Sequence, residues 1–265
     1  MNASLGTAVV TGASSGIGAV YAERLAARGY DLIIVARNAD RLKALAGKIT
    51  QATGRAVEVL AADLANAADL GRVEAKLRDD ASIRVLVNNA GVGTHTPLLD
   101  SKIEAMNKMI DLNVTALTRL TYAAVPGFVA RGQGAVINIA SIVAIAPEIL
   151  NGVYGGSKAF VVAFSQSLKH ELADKGVQVQ AVLPGATATE FWDAGGMSVD
   201  MLPKEIVMTA EDLVDAALVG FDRGELVTIP PLQNEAEWDA YEAARQVMAP
   251  RLSSATPAER YLATA

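Results

Sequence analysis

A tyrosine, a lysine and a serine in the middle of the chain have the types and spacing that proton transfer at a carbonyl requires. Tyr154 and Lys158 are four residues apart, so on a helix both side chains project from the same face. An ammonium beside a phenol favours the phenolate and lowers the pKa of the phenol, which makes Tyr154 a candidate general acid or base. Ser141 follows an apolar run, where its hydroxyl can hold the reacting oxygen. Taken alone, a tyrosine on an amphipathic helix is more often a packing residue.

A glycine-rich stretch near the start of the chain has the form of a phosphate-binding turn. The apolar run Thr7–Val10 leads into Thr11–Gly18, and helical spacing begins at Gly16. Glycines permit a tight turn and let the backbone approach a pyrophosphate, while N–H groups at a helix start attract the anion. Tight packing of helix on strand is the alternative reason for glycine here. The strand and helix on either side favour a dinucleotide site made by Gly12, Ser14, Ser15, Gly16, Ile17 and Gly18.

The end of the second apolar run indicates which dinucleotide is bound. Ala36 and Arg37 stand where an acidic residue would accept hydrogen bonds from the free 2′-hydroxyl of NAD. A guanidinium pairs instead with a 2′-phosphate. We therefore expect NADP, with NAD the less favoured coenzyme and Asn38 as a further donor; Arg37 as an ordinary solvated arginine is the alternative. Asp63 ends the third run and can accept from the adenine amino group.

The elements that must position these residues alternate along the chain. Short apolar runs predict seven strands, at Thr7–Val10, Leu32–Val35, Ala56–Leu60, Val85–Val87, Ala135–Ile139, Val177–Leu183 and Leu226–Ile229. Helical spacing occurs at Gly16–Arg28, Ala39–Thr53, Ala67–Arg78, Lys102–Arg131, Tyr154–Lys175, Ala210–Phe221 and Glu235–Met248. Continuous apolar strands joined by helices predict an α/β fold: a doubly wound, Rossmann-type, seven-stranded parallel sheet with helices on both faces. Ligands of such sheets bind beyond the carboxyl ends of the strands, where most of these residues fall.

Composition narrows the possible partners. The chain has 265 residues, of which 51% are hydrophobic and 20% charged, which predicts a folded chain with one sizeable core. A net charge of −6 offers no basic surface for nucleic acid or for an anionic membrane, so we expect a small-molecule substrate. The absence of cysteine excludes disulfides, thiolate nucleophiles and cysteine-ligated zinc. No apolar segment reaches the roughly 18 to 20 residues of a bilayer span, and no signal-like segment opens the chain, which favours a cytoplasmic protein.

The late part of the chain departs from the alternating pattern. Residues 190–208 are rich in Gly, Met and Trp without clear periodicity, which is typical of a substrate lid. We therefore predict a catalytic, dinucleotide-binding domain over residues 1–232, with this lid inside it, and a helical tail over residues 233–265. Phe191 and Trp192 in the lid either line an apolar substrate pocket or anchor the lid to the core.

The motifs together resemble the short-chain dehydrogenases/reductases of the single-domain kind. The resemblance runs from end to end, in the family's order, through Thr11–Gly18, Asp63-Leu64, Asn88–Gly91, Asn113, Ser141, Tyr154–Lys158 and Pro184-Gly185 with Thr189. It implies that Asn89, Ala90 and Gly91 pass the adenosine ribose and that Asn113, at a kink in a long helix, holds a water of a proton relay. It also implies that Tyr154 and Lys158 contact the coenzyme, Lys158 through the nicotinamide ribose. The residues expected to flank the carboxamide are Pro184, Gly185, Thr187 and Thr189.

The resemblance implies reduction of a carbonyl by NADPH, with Tyr154 as proton donor, Lys158 as its stabiliser and no metal. Apolar residues around the expected site favour a hydrophobic ketone, a 3-oxoacyl thioester or a steroid-like molecule; they are Ile142, Val143, Ile145, Ile149, Leu150, Phe191, Trp192 and Met197. The alternatives are a dinucleotide-binding regulatory protein without turnover, against which the complete residue set argues, and a sugar-nucleotide epimerase or dehydratase, for which too little chain follows the last motif.

The run from Ala159 to Phe164 is apolar on every side of its helix, so something must cover its outer face. The family pairs this helix and the preceding one across a two-fold axis, which implies a homodimer or a homotetramer. Coverage by the chain's own tail is the alternative.

Overall fold

The frame of the molecule is a parallel sheet of seven strands in the order β3-β2-β1-β4-β5-β6-β7. The structure is a computed structural model that describes residues 4–196 and 198–262. The strands are β1 Thr7–Thr11, β2 Asp31–Ala36, β3 Val57–Ala61, β4 Ile83–Asn88, β5 Gly134–Ile139, β6 Val177–Val182 and β7 Val227–Thr228. Every neighbouring pair is parallel. The predicted doubly wound fold is confirmed, although β7 is shorter than the predicted Leu226–Ile229.

Helices alternate with the strands along the chain, and one more helix follows the last strand. They are α1 Gly16–Ala27, α2 Ala39–Thr53, α3 Ala67–Asp79, α4 Ile103–Ile110, α5 Leu117–Ala130, α6 Gly152–Glu171, α7 Phe191–Ala194, α8 Ala210–Asp222 and α9 Glu235–Met248. The segment Lys102–Arg131, predicted as one α-helix, is instead α4 and α5 joined by a π-helical segment, Asp111–Ala116. None of the described helices is both long and apolar enough to cross a bilayer.

Alternate strand residues fill two hydrophobic cores, one on each face of the sheet. On one face Val10 packs in a cluster with Leu25 of α1 and Leu213 of α8. On the other face the next-door Val9 packs with residues of α3 and α5, among them Phe128, which is fully buried. Burial on both faces explains why the strands read as continuous apolar runs. It also fixes the strand register, so that all the carboxyl ends meet at one edge of the sheet.

The chain order reverses between β1 and β4, which are neighbours in the sheet. From β1 the chain winds outward through β2 and β3, and from β4 it winds the other way through β5, β6 and β7. The connections after β1 and β4 therefore leave a crevice between them at the carboxyl edge. A doubly wound sheet binds its ligand at this position.

The chain divides into two compact units, the first running to Pro231 and the second beginning at Leu232. In the second unit α9 is capped by Asn234, whose side chain accepts a hydrogen bond from the Ala236 N–H. Trp238 and Tyr241 stack on the surface of this helix with their ring centroids 5.2 Å apart. The assignment of residues 233–265 as a tail to a catalytic domain stays a prediction.

Candidate active site

The glycine-rich turn lies between β1 and α1, at the edge of the crevice. Gly16 begins α1 with a φ of +54°, a conformation that favours glycine. A Cβ atom on Gly18 would lie 2.4 Å from the Gly12 carbonyl oxygen, so no side chain fits there. The Ser15 side chain makes no capping hydrogen bond to a described residue, which leaves the first N–H groups of α1 available. The turn therefore fits the pyrophosphate of a dinucleotide.

Thr11 joins this turn to the end of β4. Its hydroxyl donates to the Val87 carbonyl at 3.1 Å and accepts from the N–H groups of Asn89 and Ala90, each at 3.0 Å. The Asn89 amide in turn donates to the carbonyls of Thr11 and Gly12. Predicted coenzyme-binding residues from two distant segments are thus held together. Sequence reasoning did not single out Thr11, whose position directly before the first glycine was the available signal.

The carboxyl ends of β2 and β3 carry the residues predicted to contact adenosine. Arg37 is exposed, and its guanidinium makes no hydrogen bond or ion pair within the described ranges. Asn38 caps α2 by accepting from the Arg41 N–H at 3.0 Å. Asp63 accepts from the Ala65 N–H at 3.0 Å, and the adjacent Leu64 is buried. An unpaired cation beside a capped helix start fits a 2′-phosphate.

Tyr154, Ser141 and Lys158 are all buried and lie near one another. Tyr154 and Lys158 project from α6, and Ser141 follows β5. The Lys158 ammonium lies 5.8 Å from the centre of the Tyr154 ring and donates to the Ile139 carbonyl at 2.9 Å. The Ser141 hydroxyl accepts from the Val143 N–H at 3.4 Å and lies near enough to Tyr154 to influence the pKa of its phenol. The pair on α6 was predicted to share a helix face, and it does.

The pKa of Tyr154 differs from the sequence expectation. Burial raises the pKa of this phenol to about 12, and the nearby Ser141 hydroxyl offsets only part of that rise. Burial also lowers the pKa of Lys158 to about 8. The expectation that the nearby cation lowers the pKa of the phenol is wrong for the protein without coenzyme, because removal from water dominates and raises that pKa. Near neutral pH the phenol is therefore protonated.

Asn113 lies in the π-helical segment and clamps the loop that follows β4. Its Oδ1 accepts from the Val92 N–H at 3.0 Å, and its Nδ2 donates to the Val92 carbonyl at 2.8 Å. The same Nδ2 donates to the Ser157 hydroxyl at 3.1 Å, and that hydroxyl donates to the Tyr154 carbonyl at 2.8 Å. Ser157 thus connects Asn113 to the backbone of the candidate acid, a role that the sequence analysis missed.

The predicted lid is a loop whose two ends are held side by side. Thr187 and Met208 form an isolated parallel bridge, in which the Ala188 N–H donates to the Met208 carbonyl at 2.9 Å. Between these ends lie α7 and two short 3₁₀ turns. Thr189 directly precedes the lid and lies against the phosphate turn, since a Cβ on Gly16 would be 2.9 Å from its Cγ2. Met197, predicted as a substrate contact, lies outside the described residues.

Phe191 of the lid packs directly on Tyr154, with their ring centroids 5.8 Å apart. The close approach depends on Gly93, where a Cβ would lie 2.4 Å from Phe191 Cζ. Trp192 meets Phe191 edge to face and donates its indole N–H to the Thr187 carbonyl at 2.8 Å. A small, mainly apolar cavity adjoins them, lined by Gly93, Thr94, His95, Leu150, Phe191, Trp192 and Gly195. Both aromatics line this cavity and both also make anchoring contacts, Phe191 with Tyr154 and Trp192 with the base of the lid; that the cavity receives a substrate stays a prediction.

A sheet that sets a phosphate-binding turn beside a buried tyrosine and lysine is the plan of a dinucleotide-dependent oxidoreductase. Residues 6–196 match the model of the short chain dehydrogenase family, and the chain belongs to that family. The predicted family and enzyme class are confirmed: the protein is an oxidoreductase, and the alternative of a regulatory protein without turnover is not favoured.

Two solved structures that are similar to this chain each cover nearly all of it. A short-chain dehydrogenase from Sphingobium yanoikuyae in complex with NADPH is 52% identical with a TM-score of 0.95, covering 97% of this chain and 100% of its own. A bulky-bulky ketone specific alcohol dehydrogenase from Comamonas testosteroni is 45% identical with a TM-score of 0.90, covering 98% and 99%. The NADPH in the Sphingobium yanoikuyae structure supports NADP binding by proteins similar to this chain.

Curated relatives include a very-long-chain 3-oxoacyl-CoA reductase from Anas platyrhynchos, 36% identical over 211 residues, which are 77% of this chain and 66% of the relative. A 17-beta-hydroxysteroid dehydrogenase type 3 from Danio rerio is 34% identical over 223 residues, which are 82% of this chain and 70% of the relative. The chain therefore spans about two thirds of the length of these relatives.

Proposed function

We propose that this protein is an NADPH-dependent carbonyl reductase that interconverts a hydrophobic ketone and its secondary alcohol. The observation that carries the proposal is the burial of two hydroxyls side by side: that of Tyr154, on α6 one turn from Lys158, and that of Ser141, which follows β5 and influences the pKa of the phenol. A pair of hydroxyls so placed holds a carbonyl oxygen from two sides. The bound coenzyme supplies the hydride to the carbonyl carbon.

In the reductive direction Tyr154 donates the proton. Because burial raises the pKa of Tyr154 to about 12, the phenol is protonated and ready to donate at neutral pH. Once the proton has moved to the new alcohol, the phenolate lies near the Lys158 ammonium, whose attraction then favours the charged form. Ser141 holds the oxygen throughout, and Asn113 positions the loop and the water that returns a proton to the pair.

NADP is the proposed coenzyme, with NAD the less favoured one. Arg37 supports this choice, because it is an exposed guanidinium at the end of β2, with no acidic residue in its place to accept from a free 2′-hydroxyl. The NADPH bound to the Sphingobium yanoikuyae relative is consistent with it. The residues proposed to hold the coenzyme are Gly12, Ser14, Ser15, Gly16, Ile17, Gly18, Arg37, Asn38, Asp63, Leu64, Asn89, Ala90, Gly91, Tyr154, Lys158, Pro184, Gly185, Thr187 and Thr189.

The proposed substrate is a ketone with apolar groups on both sides of the carbonyl. Leu150, Phe191 and Trp192 line the cavity beside Tyr154 and offer apolar surface to such groups. Phe191 covers the tyrosine ring, so the lid must shift when a substrate enters. The relatives named for bulky ketones, 3-oxoacyl-CoA and hydroxysteroids support this class. A cytoplasmic location and association as a homodimer or homotetramer stay predictions.

Replacing Tyr154 with Phe tests the proposal. We expect turnover of an aryl alkyl ketone, followed by loss of NADPH absorbance, to fall by about 10²–10⁴-fold, because the proton donor is gone. Binding of NADPH, measured by fluorescence, should change little. Tyr21→Phe is the matched control, since Tyr21 is equally buried and its hydroxyl has no partner among the described residues. A Tyr154→Phe variant that reduces the ketone as fast as the unaltered protein would overturn the assignment.

A further inference from the structure

An ion pair connects the start of the lid to the coenzyme-binding edge of the sheet. Arg41, in the first turn of α2, donates from Nη1 to Oε2 of Glu190 at 2.5 Å. The two residues are 149 positions apart in the sequence, Arg41 in α2 and Glu190 at the start of the lid. The structure thus offers a contact between the lid and the adenosine end of the site.

Both partners adjoin residues already placed against the coenzyme. Glu190 follows Thr189, which lies against Gly16 of the phosphate turn. Arg41 is bonded through its backbone N–H to Asn38, the neighbour of Arg37. Besides the Asp40–Lys43 ion pair, whose charges cancel, this edge carries the guanidinium groups of Arg37 and Arg41 and the carboxylate of Glu190, which leaves a net positive charge where the 2′-phosphate is proposed to lie.

The donor geometry leaves room for a second acceptor. A guanidinium has five N–H donors arranged along two edges, and Glu190 engages Arg41 through Nη1. Within the described ranges no other side chain accepts from Arg41, so one edge is free for a phosphate. Glu190 alone would repel that phosphate, whereas a guanidinium between the two anions attracts both.

Without a phosphate the pair holds the lid weakly. Its side chains are 50% and 59% exposed, and ion pairs so exposed contribute little to stability. A phosphate bound to the same guanidinium would fix its orientation, so that less side-chain entropy is lost when Glu190 binds it.

We infer that Arg41 bridges the 2′-phosphate of NADP and Glu190, so that recognition of the phosphate and closure of the lid reinforce each other. The inference rests on the proposed NADP binding and goes beyond it, because it assigns Arg41 to coenzyme choice and Glu190 to the coupling. Coupling between two sites is reciprocal: whatever the phosphate adds to lid closure, lid closure adds to phosphate affinity. NAD, which lacks the phosphate, leaves the lid as loosely held as in the free protein.

The test measures coenzyme binding and lid exchange and needs no turnover. Hydrogen–deuterium exchange of residues 190–207 is compared with saturating NADP⁺ and with saturating NAD⁺, in the unaltered protein and in Arg41→Gln and Glu190→Gln. We expect NADP⁺ to slow lid exchange more than NAD⁺ does, and both substitutions to abolish the difference. Arg41→Gln should also weaken the binding of NADP⁺ by about tenfold or more while changing the binding of NAD⁺ by less than about twofold, as the loss of one charge-assisted bond predicts.

Arg28→Gln is the matched control. Arg28 forms an ion pair of similar exposure with Asp222, at the far end of α1 from the phosphate turn. The inference is overturned if the ratio of NADP⁺ affinity to NAD⁺ affinity is the same in Arg41→Gln as in Arg28→Gln. It is also overturned if NADP⁺ and NAD⁺ slow the exchange of the unaltered lid equally. If the unaltered protein binds neither coenzyme, the proposed function fails and this inference fails with it. Binding of both with no effect at Arg41 overturns the inference alone.

Discussion

Lys158 illustrates, at the scale of a residue, that a proposed catalytic group is buried at a cost in stability. Its ammonium is buried, and burial lowers its pKa from 10.5 to about 8. The folded chain therefore releases this proton at a lower pH than the unfolded chain does. Between these two pKa values the unfolded state binds more protons, so stability rises with pH in that window. Below the folded-state pKa the full cost of burying the charge is present.

We expect the free energy of unfolding of the unaltered protein to rise relative to that of Lys158→Met by about 2 kcal/mol from about pH 7 to about pH 9.5. Urea unfolding of both proteins at the two pH values measures this difference. Lys43→Met serves as the control, because the Lys43 side chain is 70% exposed and its ammonium stays in water. A difference between Lys158→Met and the unaltered protein that does not vary with pH would contradict the burial argument.

Residue types and spacing located the candidate site, but they did not give its electrostatics. Tyr154 and Lys158 share a helix face because of their spacing alone. Whether the cation or burial determines the pKa of Tyr154 depends on what covers its ring. Phe191 covers it, and this residue comes from a segment whose sequence has no clear periodicity. Ser157 was missed because a serine beside a lysine on a helix has no distinguishing pattern; its partner Asn113 is 44 residues away.

At the scale of an element, the π-helical segment shows how a local change of helix type places a side chain in the candidate site. A π turn widens the helix by one residue and is frequent at functional positions. Here it contains Asn113, whose amide meets the backbone of Val92 on both its donor and its acceptor side. The helix thus holds the loop after β4 and, through Ser157, the start of α6.

Two serines on α6 separate this positioning role from ordinary helix stability. Ser157 and Ser165 are both buried, both donate to a carbonyl of the preceding turn, and both accept from an asparagine amide. We expect Ser157→Ala and Ser165→Ala to lose a similar free energy of unfolding, about 1 kcal/mol each. Only Ser157→Ala should lower kcat, by about tenfold, because only it releases Asn113 and Tyr154. Equal kcat losses in steady-state kinetics of the two variants would refute a positioning role for Ser157.

Element types could be predicted from the sequence, and element interruptions could not. Seven apolar runs predicted the seven strands because both faces of the sheet are buried, so that each strand is a continuous run of apolar residues. The break in Lys102–Arg131 had no such signal, since residues 111–116 contain neither glycine nor proline, while Pro126 lies inside α5 without ending it. The π turn is set by what Asn113 bonds to, which is a tertiary contact.

At the scale of the whole molecule, an aromatic surface remains on the outer side of α5 and α6. Tyr122 is 69% exposed and Phe160 is 37% exposed, and both lie near Phe164, which stacks on each of them. Exposed apolar groups that lie next to one another favour association. Both helices are those through which the family resemblance implies a two-fold contact.

We expect the unaltered protein to sediment as a dimer or tetramer, and Tyr122→Glu/Phe160→Glu to dissociate at least about 100-fold more readily, because burying unpaired carboxylates costs several kcal/mol. Sedimentation velocity over a range of concentrations measures this. Val219→Glu is the control, as Val219 is similarly exposed, on α8 at the other face of the sheet. A monomeric unaltered protein would rule out this surface as an interface.

The bridge between Thr187 and Met208 has a consequence for how such an enzyme evolves. Two backbone hydrogen bonds, Ala188 to Met208 and Met208 to Ala186, each 2.9 Å long, keep the two ends of the lid adjacent whatever runs between them. Lengthening a loop whose ends are already joined costs little, since closure entropy grows only slowly with length. The intervening stretch can therefore change in length and sequence while the strands and helices outside it stay in place, so substitutions there are expected to be better tolerated than substitutions in the sheet.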